Sequence, residues 1–237
     1  MSDPIPRPSP NFDARGLPVS MIVLHYTGMA DADGALARLT DAAAKVSAHY
    51  LIDETGLIYA LVDEAARAWH AGRSHWRGID DINSASIGIE LVNPGHEWGY
   101  RPFPEAQMQA LLPLMAGIVG RHGITRGNIV GHSDVAPSRK VDPGELFDWE
   151  RLAAVRLALP RPRRYLIDPL WEDAGFLLAL ERFGYEVTDP PAAVRAFQRR
   201  FRPDRFDGVI DGESRAILLS LLTGGEKGAA ARAEGEG

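Results

Sequence analysis

The chain has 237 residues, 45% of them hydrophobic and 24% charged, so its length predicts one full domain with a smaller one, and its composition is ordinary for a globular protein. The formal net charge of -6 argues against binding to the nucleic-acid backbone, and no apolar stretch approaches the roughly eighteen residues of a membrane span. Because cysteine is absent, disulfides, thiolate nucleophiles and thiolate metal ligands are excluded, and any metal ion must be held by histidine and carboxylate.

The N-terminal segment, residues 1–19, is rich in proline and shows no hydrophobic periodicity, so we expect it to lie extended on the surface. It contains no basic stretch followed by an apolar one, and we therefore predict no secretory signal and a cytoplasmic location. A periplasmic location is the alternative if a leader has been removed from the sequence.

The segments that follow predict a sheet that also contains helices. Residues 20–26, "SMIVLHY", form a short apolar and β-branched run typical of a buried strand that ends near His25. Residues 33–45 have alanine and leucine at helical spacing, with Asp33 as the expected cap. Residues 48–63 predict a hairpin of two strands.

The second half of this region continues the alternation of strands and helices. Residues 86–92, "SIGIELV", alternate so that Glu90 faces away from the isoleucines. Residues 104–123 begin with proline and end with glycine, which predicts a long helix, and residues 128–132 predict another short strand. The order indicates an α/β fold with a mixed central sheet flanked by helices.

A change of pattern marks the expected domain boundary. Residues 159–169, "LPRPRRYLIDP", hold three prolines and three arginines, and three short helical patterns follow at 174–185, 190–201 and 211–222. We therefore predict a small all-α three-helix domain, whose size allows only a marginal core. The predicted boundaries are 1–160 for the first domain, 161–223 for the helical domain and 224–237 for a disordered, low-complexity tail.

One loop concentrates residues that could bind a metal ion. In residues 131–144, "GHSDVAPSRKVDPG", His132 and Asp142 lie ten positions apart across a proline-stiffened loop, and His25 at the strand end could supply a third ligand. Two nitrogens and one oxygen would leave a fourth tetrahedral position for water, which is the pattern of catalytic zinc. Spacing alone leaves open a histidine bonded to a carbonyl and an aspartate that only shapes a turn.

Glu90 and Lys140 are the candidate catalytic residues. Glutamate is depleted in strands, so Glu90 fits either a base beside a metal-activated water or a solvent-facing carboxylate on an edge strand. Lys140 is one of only three lysines in the chain. It could place a compact positive charge and hydrogen-bond donor in a site, or it could be an ordinary surface lysine. The residues by themselves do not decide between these interpretations.

Imidazoles and aromatic rings suggest a surface for ligand. His49 lies in "SAHYLID", while Trp69 and His70 lie in the dense cluster "AWHAGRSHW". Packing in the core is the alternative for each of them. Ser133, next to His132, could suggest a serine nucleophile, but no G-x-S-x-G elbow surrounds it.

The ordered motifs resemble a known family across residues 9–158. They are "PSPNFDARG" near the start, "IVLHYTG" (22–28), "VSAHYLIDETG" (46–56), "AWHAG" (68–72), "SIGIELVN" (86–93) and "VGHSDVAPSRKVDPG" (130–144). This set resembles the zinc-dependent N-acetylmuramoyl-L-alanine amidases of the AmpD and AmiD type, whose fold is shared with peptidoglycan-recognition proteins.

The resemblance implies roles for individual residues. It implies that His25, His132 and Asp142 bind Zn²⁺, that Glu90 lies near the zinc water and that Lys140 lies beside the developing oxyanion. The substrate-binding candidates combine the ring cluster with two residues of the family motifs: Tyr26, His49, Trp69, His70 and Asn93.

The resemblance also implies a function. It predicts hydrolysis of the amide bond between N-acetylmuramic acid and L-alanine in peptidoglycan or anhydro-muropeptides, in cell-wall recycling or remodelling. A non-catalytic recognition module for muropeptides is the alternative, because the same fold serves both purposes. Residues 184–222 resemble the three-helix peptidoglycan-binding module often attached to such amidases.

Overall fold

A computed structural model describes residues 3–163 and 166–233, with side chains described as far as residue 224. Its main sheet has six strands in the order β1-β5-β4-β7-β3-β8, and a second sheet pairs β2 with β6. The strands are β1 (Ile5–Pro6), β2 (Phe12–Ala14), β3 (Met21–Tyr26), β4 (Tyr50–Ile52), β5 (Ile58–Ala60), β6 (Ala66–Ala68), β7 (Ser86–Leu91) and β8 (Ile129–Gly131).

The main sheet is mixed. Strand β3 pairs in parallel with both β7 and β8, β4 pairs in parallel with β7, and only β4 and β5 run antiparallel as the predicted hairpin. The helices are α1 (Ala32–Thr40), α2 (Ile82–Ala85), α3 (Gly95–Trp98), α4 (Glu105–His122), α5 (His132–Val135), α6 (Trp149–Ala154), α7 (Asp173–Phe183), α8 (Pro190–Phe201) and α9 (Gly212–Ala233). The predicted α/β fold with a mixed sheet flanked by helices, and with helices at the C-terminus, is confirmed.

Helix α1 differs from its prediction at both ends. Asp31, rather than Asp33, caps it by accepting a hydrogen bond from Gly34 N, and the helix ends at Thr40 instead of continuing to residue 45. The side chain of Asp41 accepts a hydrogen bond from Ala43 N and so favours a turn over another helical residue. At the other end of the chain, α9 continues through residue 233, so the backbone of 224–233 is helical, and residues 234–237 of the predicted tail lie outside the described residues.

The two faces of the sheet are covered by different helices. Strand alternation places Ile22, Leu24 and Ile89 on one face, where they share a core with residues of α4 such as Leu111 and Met115. Met21, Val23 and Val130 lie on the opposite face and share a core with Phe176, Leu180, Tyr185 and Phe197. The C-terminal helices therefore pack against one another and share their core with this face of the sheet.

The parallel strands decide where a site can form. Strands β3, β7 and β8 point the same way, so their carboxyl ends meet at one edge of the sheet. His25 and Glu90 lie at this end of β3 and β7, and His132 directly follows β8.

Within the described residues, no helix combines the length and apolar character needed to cross a membrane.

Candidate metal centre

Three side chains from distant parts of the chain meet at the carboxyl edge of the sheet. The Nδ1 atoms of His25 and His132 lie 2.9 Å apart, and each lies 3.1 Å from Oδ2 of Asp142. All three residues are buried, and together they are a group that could hold a metal ion. The structure thus brings together the predicted ligand set.

Local structure holds the candidate ligand Asp142, in the loop, next to the candidate ligand His132 on α5. His132 begins the short helix α5, and the backbone N–H of Ser133 donates to the carbonyl of Asp142 at 2.8 Å. This hydrogen bond closes the ten-residue interval between His132 and Asp142 that the sequence spacing suggested. Ser133 contributes to this arrangement through its backbone N–H.

The far nitrogen of His132 has a partner that sets its tautomer. His132 Nε2 lies 3.1 Å from the carbonyl oxygen of Ala71, which can only accept. The proton is therefore assigned to Nε2, and the lone pair of Nδ1 points at the centre. A histidine ligand whose other N–H is held by a carbonyl is the usual arrangement in metal sites.

A longer chain of hydrogen bonds orients His25. Ser86 donates its hydroxyl proton to the carbonyl of Ile82 at 2.6 Å, so its oxygen is free to accept from His70 Nε2 at 3.3 Å. His70 Nδ1 then accepts from His25 Nε2 at 3.0 Å. This assignment leaves the lone pair of His25 Nδ1 facing the centre, as in His132.

The arrangement fits a divalent metal ion. With both far nitrogens protonated, two imidazole lone pairs and a carboxylate oxygen face one another with no proton between them, which is repulsive unless a cation lies among them. Their separations are close to the roughly 3.3 Å that neighbouring ligand atoms have around tetrahedral zinc. A set of two nitrogens and one oxygen also suits zinc better than calcium or magnesium, which prefer oxygen ligands.

The pKa shifts of two of the candidate ligands, His25 and Asp142, agree with this assignment. Burial, together with the neighbouring His132, lowers the pKa of His25 from 6.5 to about 4. Burial by itself would raise the pKa of Asp142, but His132 and His25 beside it hold that pKa well below its usual range. At neutral pH the group therefore offers a neutral imidazole and a carboxylate, the protonation states that bind metal.

Glu90 lies beside this centre. It is paired in register with His25 on the adjacent strand, and its Oε2 is shielded from solvent without a hydrogen-bond partner among the described residues. Burial, and then the charge of Asp142, raises the pKa of Glu90 to about 8, against the opposing effect of Lys140. A carboxyl group with this pKa can exchange a proton near neutral pH.

The centre opens into a cavity of about 490 Å³. Glu90, Lys140, Tyr26, Trp69 and His70 line it together with the three metal-ligand candidates. Tyr26 is held in the wall by a 2.9 Å contact between its hydroxyl and His96 Nδ1. Most of the predicted catalytic and substrate-binding residues therefore share one space.

Two of the predicted substrate-binding residues do not line the cavity. His49 is fully buried, with Nδ1 accepting from Gly88 N at 2.9 Å and Nε2 contacting Arg15 at 2.7 Å. Asn93 is also buried, and its amide holds the loop after β7 by donating to Arg101 O and accepting from Gly95 N. The polar atoms of both side chains contact other residues of the protein, and neither residue lines the cavity.

The sequence interpretation missed other residues of the cavity wall. His96 and Trp98 on α3, and Arg38 and Arg139, also line the cavity. The segment "HEWGY" (96–100) combines imidazole and aromatic rings much as "AWHAG" does, and this composition could have marked it as a candidate. Nothing in the local pattern distinguishes the two arginines from surface arginines.

Comparison with known proteins places the chain in a family. Residues 15–145 match the family described as N-acetylmuramoyl-L-alanine amidase. Over 231 residues the chain is 40% identical to the N-acetylmuramoyl-L-alanine amidase AmiD of Escherichia coli K12, covering 86% of this chain and 82% of that relative. It is 36% identical over 163 residues to the 1,6-anhydro-N-acetylmuramyl-L-alanine amidase AmpD of Haemophilus influenzae, covering 60% of this chain and 86% of that relative.

Solved structures agree with the sequence relatives. The complex of AmiD from E. coli with the substrate anhydro-N-acetylmuramic acid-L-Ala-D-gamma-Glu-L-Lys superposes with a TM-score of 0.79 at 37% identity, covering 89% of this chain and 91% of that one. AmpDh3 from Pseudomonas aeruginosa superposes with a TM-score of 0.78 at 34% identity, covering 86% and 91%. The resemblance inferred from the motifs is confirmed, and the chain belongs to the N-acetylmuramoyl-L-alanine amidase family of hydrolases.

Proposed function

We propose that this protein is a zinc-dependent amidase that cleaves the bond between N-acetylmuramic acid and L-alanine in muropeptides. The observation that carries the proposal is the convergence of His25, His132 and Asp142 within 3.1 Å of one another at the floor of a cavity. A recognition protein needs no such set, because binding a muropeptide does not require a buried group of metal ligands.

Zinc would be held by His25 Nδ1, His132 Nδ1 and Asp142 Oδ2, in the protonation states described above. When bound, it supplies Lewis-acid chemistry, lowering the pKa of water and polarising the scissile carbonyl. The protein's part is to hold the three ligands rigidly at the strand ends and to keep the two imidazoles in the tautomer that binds metal.

We assign to Glu90 the transfer of a proton from the attacking water to the leaving amine. Its unpartnered Oε2 accepts a proton as water attacks the carbonyl carbon of the lactyl group. The tetrahedral intermediate then collapses, the C–N bond breaks, and Glu90 returns the proton to the amine of the leaving L-alanine. Without metal the pKa of Glu90 is about 8, and a bound zinc ion would lower it toward the ionised form that accepts the first proton.

Lys140 is assigned to the oxyanion. Lys140 lines the cavity, and its positive charge opposes the rise of the Glu90 pKa. A fixed positive charge stabilises the negative charge that develops on the carbonyl oxygen during attack. Lys140 therefore acts on the transition state and does not hold the metal.

Anhydro-muropeptides are the proposed substrate class. The E. coli relative was crystallised with an anhydro-N-acetylmuramic acid peptide, and P. aeruginosa AmpDh3 with anhydromuramic pentapeptide. A cavity of about 490 Å³ can enclose the junction of sugar and peptide, with Trp69 and Trp98 in its wall as apolar surfaces for the sugar.

Mass spectrometry of digested muropeptides tests the proposal. Amidase action releases a peptide that begins at L-alanine from an intact sugar, and chelation should abolish this product. A recognition protein would bind the muropeptide and leave it whole, while a peptidase would cut within the stem peptide. Either of those two outcomes would overturn the proposed function.

Two further measurements test the cellular compartment of the protein and the role of its helical domain. We propose that residues 161–223 form a domain that adds affinity for polymeric peptidoglycan, as in the module it resembles. Turnover on purified anhydro-muropeptide should be compared with turnover on sacculi, and cell fractionation should accompany it. Recovery from the periplasm would contradict the expected cytoplasmic recycling role. Turnover on sacculi no faster than on anhydro-muropeptide would contradict the added affinity for polymer.

A further inference from the structure

A buried carboxylate lies two residues after the metal-ligand candidate His132. Asp134 is only 1% exposed, and each of its oxygens is engaged. Oδ2 accepts from the backbone N–H of Gly131 at 2.7 Å, while Oδ1 accepts from the hydroxyl of Tyr185 at 2.6 Å. The first bond closes the turn from β8 into α5 around His132, and the second comes from the C-terminal helical region.

Arg200 on α8 completes this network. Its Nη1 donates to Asp134 Oδ2 at 2.6 Å, and its Nη2 donates to the carbonyl oxygen of Ile129 at 2.8 Å. The guanidinium lies over the ring of Trp149 at 3.9 Å, and the side chain is 5% exposed. One buried arginine therefore contacts both the strand that leads to His132 and the carboxylate that follows it.

The contact has a direct geometric consequence for the metal ligand. His132 lies between Ile129 and Asp134, the two residues that Arg200 contacts, and its Nε2 is 3.1 Å from the carbonyl oxygen of Ala71. A rotation of this segment would therefore move the imidazole relative to Ala71. A buried aspartate with no positive charge beside it is strongly disfavoured, so removal of Arg200 favours movement of the Asp134 side chain out of its present position. Such a movement breaks the hydrogen bond from Gly131 N and loosens the turn that carries His132.

We propose that Arg200 and Tyr185 are positioning residues for His132, so that the C-terminal helices form part of the metal site in addition to any role in binding peptidoglycan. The inference rests on the metal centre proposed above. A module attached only to capture polymer would need no buried charge pair beneath a metal ligand. Here α8 reaches the segment next to the ligand with a fully buried, hydrogen-bonded ion pair.

Arg202 provides a matched control. It follows α8 directly, is 5% exposed and forms a 2.6 Å ion pair with Asp211, but its hydrogen-bonded partners, Arg205, Asp211 and Glu213, all lie in the helical region. Arg202→Met therefore removes a buried arginine and its ion pair from the same helix end without touching the segment of His132. It should lower thermal stability and leave the metal site intact.

The experiment measures zinc affinity of the full chain by competition with a chromogenic chelator, well below the unfolding temperature of each variant. Arg200→Met should raise the Kd for zinc by about tenfold to a hundredfold, the range seen when residues that orient metal ligands are replaced. It should also alter the visible spectrum of the cobalt-substituted protein, which reports ligand geometry. Arg202→Met should stay within about twofold of the unsubstituted protein.

Tyr185→Phe removes only the hydroxyl that donates to Asp134. It tests the positioning role if Arg200→Met does not fold. It should weaken zinc binding in the same direction and by a smaller factor. Unchanged zinc affinity and cobalt spectrum in Arg200→Met, or in Tyr185→Phe where only that variant folds, would overturn the inference. An equal loss of affinity in Arg202→Met would overturn it too, because the effect would then be general destabilisation.

This design separates the inference from the proposed function. Absence of zinc binding in the unsubstituted protein would contradict the proposed function itself. Normal zinc binding that none of the three substitutions changes would contradict only the positioning role of the C-terminal helices.

Discussion

His25 and Glu90 occupy paired positions on the adjacent parallel strands β3 and β7, and both side chains line the same cavity. Their environments shift their pKa values in opposite directions, to about 4 for the imidazole and about 8 for the carboxyl group. A neutral imidazole that could bind metal and a carboxyl group that can hold a proton therefore lie side by side on adjacent strands. Catalytic groups with opposed shifts of this kind separate the tasks of binding metal and moving protons.

Replacing Glu90 by glutamine should remove hydrolysis and keep the metal. The carboxamide is nearly isosteric but cannot accept the proton, and Glu90 is not one of the three converging ligands. We expect at least about a hundredfold loss of turnover, the usual size of a general acid–base contribution. Kinetics on anhydro-muropeptide together with metal analysis measure both effects. Loss of zinc in this variant would mean that Glu90 is a ligand.

Lys140→Met should slow the reaction by about 10²–10³-fold, because one donor to the oxyanion is lost. Zinc content should be unchanged. The control is Lys45→Met, which removes an exposed lysine that is not among the residues lining the cavity. Turnover of Lys140→Met close to that of the control would show that Lys140 does not stabilise the transition state.

His132→Ala should lose zinc and activity together, since one of three protein ligands disappears. His75→Ala is the matched control, because His75 bonds to the exposed carboxylate of Asp80 and lies outside the ligand group. Metal analysis after dialysis against chelator measures the difference between the two variants. Equal zinc content in both would refute the assignment of His132 as a ligand.

Gly88→Ala should weaken zinc binding although it touches no ligand. A Cβ at Gly88 would lie 2.5 Å from Cγ of His70, so the His70 ring must move. His70 Nδ1 accepts the hydrogen bond from His25 Nε2, and this movement would weaken or break that bond. We expect about a tenfold rise in the zinc Kd, as for other losses of a group that orients a ligand. Gly120→Ala on α4 is the control, because the added carbon would meet no atom within 4 Å apart from the backbone of its own helix. Equal affinities would show that His70 does not orient His25.

The raised pKa of Glu90 predicts a pH dependence in the metal-free protein. Between the ordinary value of 4.5 and about 8, the unfolded chain releases this proton while the folded chain keeps it. The free energy of unfolding therefore falls as pH rises, by at most about 1.4 kcal/mol per pH unit. Buried histidines such as His25 oppose this trend below pH 6.5, where the unfolded chain takes up protons that the folded chain refuses.

Between pH 6.5 and about 8, His25 does not oppose the effect of Glu90 on the free energy of unfolding, so the measurement is made in this interval. Urea unfolding of chelated protein should show a decline there that Glu90→Gln lacks, because the carboxamide does not titrate. Parallel curves for the two proteins would show that Glu90 is ionised in the empty site at neutral pH.

The sequence by itself determined the fold class and a large part of the candidate site. Alternation along residues 86–92 placed Glu90 opposite the isoleucines, and the apolar run that ends at His25 predicted a buried strand, because strand periodicity is a local property. The ordered motifs identified the family. They also pointed to the ligand set that the structure brings together.

Only the tertiary structure decided which histidines reach the cavity. His49 and His70 lie in equally suggestive motifs, yet His49 is enclosed by Arg15 and Gly88 while His70 lies against Gly88 and contacts His25. The short loop at 93–101 likewise uses Asn93 internally and presents His96 instead. These outcomes depend on contacts between residues distant in sequence, which no local pattern encodes.

The tertiary structure also decided how the C-terminal helices are used. Their pattern predicted three helices with a marginal core, and in the structure the helices share their core with Met21, Val23 and Val130 of the sheet. Nothing near Arg200 in the sequence indicates that its partner is Asp134, because an ion pair across 66 positions follows from packing alone. Local propensity thus determines which elements form, and burial of the apolar faces they share determines which side chains meet.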